Sequence, residues 1–182
     1  MIKRAFDALE KGAFLNEFVP CPKELCDDDL TTWSKGPEQA DRDRKKADLK
    51  AKYGYESWYD WNIANWGTKW DVGDEGSQTL VNENELTTTF SSAWSPPTGA
   101  YAKLQDLGFE VEAYYYEPGM CFAGIYDENG DDCYNIEGSS ESVRENIPQR
   151  LDEMFNISEN MADYEDENQE IELNDGIDSI NE

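Results

Sequence analysis

The residues able to do chemistry in this chain are unevenly stocked. There is no histidine among its 182 residues, so a general base would have to be a carboxylate, lysine or tyrosine with a displaced pKa. Forty-one acids make some pair look catalytic on paper, so pairs of carboxylates carry no information. No GxSxG elbow, phosphate loop or dinucleotide fingerprint is present. Ser139-Ser140 reads as a helix cap rather than a nucleophile. These absences point away from an enzyme.

Metal chemistry fares no better. Asp127, Asn129 and Asp131 imitate the first three ligand positions of a calcium loop. The match fails where glycine is needed, at Asp132, and where a bidentate Glu is needed, at Gly138. Asn129-Gly130 instead marks a hairpin, because the pair accepts the positive φ angles of a type I′ turn. The four cysteines, Cys21, Cys26, Cys121 and Cys133, lack the spacing of a zinc or CxxC redox site and are expected as free thiols. No cofactor is called for.

Aromatic residues offer a recognition surface. Trp58, Trp61, Trp66 and Trp70 lie close together with Lys69, as in a platform for a ligand or a stacked base. The plainer expectation is that they build core, with Trp66 and Trp70 buried and Lys69 lying along a ring as a cation–π pair.

Charge is the strongest signal. The net charge is −26, and residues 104–182 hold 23 acids against 2 bases. The last 32 residues carry 12 acids and no base. Such a field opposes contact with nucleic acid and favours a basic partner. No apolar run is long enough to cross a membrane, and the N-terminus lacks a signal-peptide core, so a cytoplasmic setting is expected.

The elements that position these groups follow from periodicity. Ile2, Ala5, Phe6 and Leu9 define a short helix stopped at Gly12. Phe14 to Val19 reads as a strand closed by Pro20 and Pro22. A helical insertion near 26–55 centres on a helix over 37–53, whose Arg42, Arg44, Lys45, Lys46, Lys50 and Lys52 form the one basic patch. That patch is a solvated face or a dock for the acidic half. Glu85 to Ala93 is β-prone, Thr98 to Leu107 helical, and Phe109–Tyr116, Met120–Tyr126 and Asp132–Glu137 form a meander. A helix from Glu141 to Phe155 closes a single domain over 1–155. Residues 156–182 read as a flexible acidic tail, although Ile171, Leu173, Ile177 and Ile180 form an apolar series able to fold on a partner. The class is α+β.

Two segments carry a resemblance. Asn65-Trp66-Gly67-Thr68-Lys69-Trp70-Asp71, with Thr89-Phe90-Ser91-Ser92-Ala93-Trp94-Ser95-Pro96-Pro97 about twenty residues later, is similar to the YubB-type ferredoxin-like domain family of phages and plasmids. Phe14 to Pro22, Leu107 to Val111 and Gly124 to Tyr126 extend the resemblance over roughly residues 12–137. It departs between Leu25 and Tyr53 and after Arg150. The resemblance implies a ferredoxin-like antiparallel sheet with helices on one face and a mobile-element origin. It also implies that Trp66, Gly67, Lys69, Trp70, Trp94, Pro96 and Pro97 are structural framework. No iron–sulfur cluster is implied.

The reading that follows is a non-catalytic binding protein that inhibits a basic host protein handling DNA or RNA, as anti-defence proteins do, by presenting carboxylates in place of phosphates. Small-ligand binding or catalysis at the Trp-rich cluster is the alternative. The expected partner contacts are Asp127, Glu128, Asp131 and Asp132 at the hairpin tip, with Glu137, Glu141 and Glu145 nearby. Asp163, Glu165, Asp166, Glu167, Glu170 and Glu172 extend them along the tail.

Overall fold

In the computed structural model, which describes residues 1–31, 37–73 and 77–178, the chain forms two compact units, Met1–Val111 and Glu112–Glu182. The α+β class is as expected. The described strands make two small antiparallel sheets, of two and three strands, and a single ferredoxin-like sheet is not among them.

The first unit is mostly helical. Helix α1 (Ile2–Leu9) buries Ala5, Ala8 and Leu9 on one face and ends at Gly12, whose φ of 60° suits a residue without a Cβ. Phe14–Phe18, expected as a strand, is the short helix α2. The reason is long-range. The Asp71 carboxylate accepts the free amides of Leu15 (2.6 Å) and Asn16 (2.9 Å), which are among the unpaired donors that a helix N-terminus must place somewhere. Two 3-10 turns, Lys23–Leu25 and Asp28–Thr31, lead to α3 (Pro37–Tyr53). Five of the six basic residues of α3 find carboxylates within this unit, Arg44 on Asp41 one turn before it. Arg42 pairs with Asp29, Lys45 with Asp27, Lys50 with Glu56 and Lys52 with Glu24.

Helix α4 (Trp58–Asn65) carries three aromatics that the sequence reading left unassigned to any element. Strands β1 (Ser77–Asn82) and β2 (Glu85–Thr89) form a hairpin, and α5 (Thr98–Asp106) follows immediately after Pro97.

The second unit is a meander with helices on one face. Strands β3 (Ala113–Glu117), β4 (Phe122–Asp127) and β5 (Gly130–Asn135) pair in sequence order. Period-2 alternation sends Tyr114, Tyr116, Ala123, Ile125 and Tyr134 to the face where Val143, Ile147, Leu151 and Ile157 complete the core. The expected single helix after Ser140 is broken at Pro148 into α6 (Ser140–Asn146) and α7 (Gln149–Phe155).

Residues 156–182, expected as flexible tail, hold the helix α8 (Ile157–Asp178). Its first turns are anchored. Ile157 is fully buried, and Asp152 accepts from both the amide (2.7 Å) and the hydroxyl (2.6 Å) of Ser158. Farther on, Glu165 accepts from the amide (2.8 Å) and hydroxyl (2.7 Å) of Ser140. Arg144 reaches Ser158 at 3.3 Å, so α6 and α8 lie antiparallel. Composition pointed to disorder; two carboxylate caps and one buried isoleucine override it.

Candidate functional site

The hairpin β4–β5 sets the geometry of the acidic surface. Its register pairs Asp127 with Gly130, Tyr126 with Asp131, Ile125 with Asp132 and Gly124 with Cys133. The turn therefore lies at Glu128-Asn129, and the positive φ (114°) falls on Gly130 alone. That is a turn followed by a left-handed glycine, not the type I′ pair expected from Asn129-Gly130. Asp127 closes the turn by accepting from the amide (2.7 Å) and side chain (3.1 Å) of Asn129.

The register splits three of the four tip acids between two faces, and Glu128 lies in the turn itself. Asp127 and Asp132 share the face of Ile125, toward the helices. Asp131 lies on the other face, where it accepts a 2.7 Å hydrogen bond from Tyr115. Burial, with this bond next, raises the Tyr115 phenol far above its ordinary value. Asp127 also lies 3.6 Å from Arg150, whose guanidinium meets Glu112 at 3.7 Å and sits over the Tyr114 ring. Glu128, Asp131 and Asp132 are exposed.

Glu137, Glu141 and Glu145 are exposed on β5's exit and on α6. Asp163, Asp166 and Glu167 are exposed on α8, fixed there by the helix instead of floating on a tail. Glu165 is different. It is half-buried and serves as the cap of α6, and the two Ser140 donors hold its carboxyl below the usual range. Glu170 and Glu172 have side chains outside the described residues, as do Leu173 and Ile177, and Ile180 lies outside them entirely. The second unit thus carries 21 acids against Arg144 and Arg150, and Arg150 is already engaged by Glu112 and Asp127.

The Trp-rich boxes, separated in sequence, meet in the first unit. Trp66 is buried (4% exposed), donates its indole N–H to Val19 O at 2.8 Å and meets Trp61 edge-on at 5.9 Å. Gly67 has a φ of 89°, and a Cβ there would sit 3.1 Å from Pro96 O. Ser95 donates to Gly67 O, and the Ala100 amide reaches Trp66 O at 3.1 Å. Pro97 is fully buried and Pro96 half-buried.

One expectation fails here. Trp70 is 57% exposed, and Trp94, at a φ of 67°, is 70% exposed. The reason is the alternation around the turn. Thr68 takes the inward place, while Asn62 fixes Lys69 O at 2.9 Å and leaves Trp70 outside. The Lys69 ammonium lies 4.3 Å from the Trp70 ring, 5.3 Å from Trp94 and 5.5 Å from Tyr59, the cation–π role expected of it.

Asp71, at the end of the box, had no assigned role. Burial raises its carboxyl above the usual value, and three backbone amides, of Leu15, Asn16 and Val72, pull the other way. A cap set some 55 residues from its helix leaves no local sequence signal.

Two cavities flank this unit's surface, of about 240 Å³ beside Phe18 and Leu107 and about 270 Å³ beside Trp70 and Ser92. Both fall below the range of roughly 300–1,000 Å³ typical of small-molecule sites. Among the described residues no group of three or more Cys, Asp or Glu is placed to hold a metal ion, and no helix is long and apolar enough to cross a membrane. Compared with known protein families, with curated proteins and with solved structures, the chain matches none.

Proposed function

We propose that this chain is a non-catalytic inhibitor that binds a basic, nucleic-acid-handling protein and occupies its phosphate-binding surface with carboxylates. The observation that carries the reading is the second unit, where acids stand on a sheet hairpin and on helices tied together by side-chain caps. Fixed carboxylates can replace phosphates at a basic surface without losing the entropy that ordering a tail would cost. Displaced counterions then drive association, as they do for DNA.

The setting we assign is the cytoplasm of a host cell, with the chain carried by a phage or plasmid. That origin, and kinship with the YubB-type ferredoxin-like domains, rest on the residues from Asn65 to Asp71 and from Thr89 to Pro97. A second reading, a small-ligand platform, has one observation in its favour, the ring of Tyr59, Trp70 and Trp94 around Lys69.

Capture from host lysate on the immobilised protein, followed by mass spectrometry, tests the proposal. The expected partner is a basic nucleic-acid-binding protein that duplex DNA displaces. A partner that DNA does not compete away overturns the mimicry.

A further inference from the structure

The exit from α2 brings two thiols together. After Phe18 the chain runs through Val19-Pro20-Cys21-Pro22 into the 3-10 turn Lys23–Leu25. The Leu25 amide bonds Pro22 O at 2.9 Å and the Cys26 amide bonds Lys23 O at 3.1 Å, which folds Cys26 back over Pro22. Both sulfurs then face one oxygen. Cys26 Sγ is 3.5 Å and Cys21 Sγ 3.9 Å from Pro22 O, so one carbonyl oxygen draws the two sulfurs to the same place.

The surroundings hold this arrangement in place. Asn16 accepts the Cys21 amide at 3.0 Å, Trp66 bonds Val19 O, and Leu25 is fully buried. Glu24, inside the turn, receives Lys52 at 2.9 Å and the Tyr53 hydroxyl from α3. Cys26 is exposed and Cys21 buried. Cys121 and Cys133 show what an unmatched pair looks like. Cys133 lies opposite Gly124, three residues along from Cys121, or roughly 10 Å at about 3.4 Å per residue. Bridged cysteines need Cα atoms within about 7 Å.

We propose that Cys21 and Cys26 form a reversible intrachain disulfide, with exposed Cys26 as the thiol attacked first and a hydroperoxide as the oxidant. The Cys26 thiolate attacks the hydroperoxide, the O–O bond breaks, and an alcohol (water, from hydrogen peroxide) leaves. The resulting sulfenic acid is attacked by Cys21, the S–O bond breaks, and water carries away the hydroxyl and the Cys21 proton. Two thiols are oxidised by two electrons and one hydroperoxide is reduced. Burial, then Cys26 itself, pushes the Cys21 thiol up to about 12, so Cys21 is the slow partner and Cys26 the exposed sensor. The bridge fastens the exit of α2 to the turn that carries Glu24 to α3.

Hydrogen peroxide on the folded, full-length protein tests this. Trypsin cleaves after Lys23 and separates the two cysteines, so a disulfide-linked peptide pair is diagnostic. The expected result is that pair, a fall of two in titratable thiols, and reversal by dithiothreitol, with Cys121 and Cys133 still free. Cys26→Ser, at an exposed position, abolishes the link. Cys21→Ser leaves Cys26 to oxidise further, and if that variant does not fold the linked-peptide readout in the native chain still decides. Sulfinic acid at Cys26 beside a free Cys21, or linkage of Cys26 to any other cysteine, overturns the proposal.

Discussion

Thr68 and Ala93 are joined by a single hydroxyl that serves both backbone groups of the alanine. Thr68 Oγ1 donates to Ala93 O and accepts from Ala93 N, each at 3.0 Å, across 25 residues of sequence. Thr68 is 1% exposed, so the hydroxyl that makes both bonds is itself shielded from water. The bond also holds the turn that places Trp94 in the left-handed region, an uncommon conformation for a bulky residue. Thr68→Val keeps the shape and removes both bonds. It should cost about 1–3 kcal/mol in urea unfolding, the range for leaving a buried polar group unpaired. A cost near zero would mean that water replaces the hydroxyl.

The two tryptophans of the same box should behave oppositely. Trp66 is buried and hydrogen-bonded, so Trp66→Ala is expected to cost about 3–5 kcal/mol. Trp70 is mostly exposed, and Trp70→Ala should cost under about 1 kcal/mol. Equal costs in denaturant titrations would contradict the placement of Trp70 outside the core.

Gly124 is a strict requirement of the three-stranded sheet. A Cβ there would lie 2.2 Å from the Tyr115 ring and 2.6 Å from Asp132 O. Gly124→Ala should lower the thermal midpoint of the second unit. Combining it with Tyr115→Ala should recover only part of the loss, because the Asp132 carbonyl stays in the way. Full recovery would show that the side chain alone sets the limit.

Much of the secondary structure was legible in the sequence, and the misses have separate physical causes. The α1 pattern, the helix from Pro37 to Tyr53, the helix after Pro97 and the C-terminal meander all declare themselves by local periodicity and Gly or Pro punctuation. Phe14–Phe18 does not, because five residues give little signal and its cap, Asp71, lies far away. The α8 helix was masked by composition. Its one local clue is Ile157 and Met161, an i, i+4 pair that meets the core. Of the candidate contacts, sequence showed which residues are acidic. It did not show that Glu165 is a cap or that Asp132 rather than Asp131 takes the face toward the helices, since both depend on register and tertiary packing.

Glu165 should reveal its role by titration. Its carboxyl is lowered by the Ser140 hydroxyl and amide, both of which donate to the ionised form. A lowered folded pKa adds stability that is present above the ordinary value of 4.5 and is lost as pH falls through the folded pKa. NMR titration is expected to place Glu165 below 4.5, and Ser140→Ala should move it back up. An unchanged Glu165 in that variant would detach the carboxylate from α6.

Partner binding should be electrostatic and should depend on the folded surface of the second unit. Affinity is expected to fall at least about tenfold from low to high ionic strength, because screening shortens the reach of its field. Two charge-neutralised variants separate the contributing faces. One changes Glu128, Asp131 and Asp132 at the hairpin; the other changes Asp163, Asp166 and Glu167 on α8. Glu165 and Asp152 are left intact, since their carboxylates hold α6 and α8 in place. Deleting residues 156 onward would not test the same point. Ile157 is fully buried and Ser158 is bound by Asp152, so the deletion would open the core as well as remove charge. Circular dichroism should be unchanged in both neutralised variants, and at least one should bind more weakly. If both bind as tightly as the parent, with no salt dependence, the acids are not the contact, and the exposed Trp70 and Trp94 become the surface to mutate.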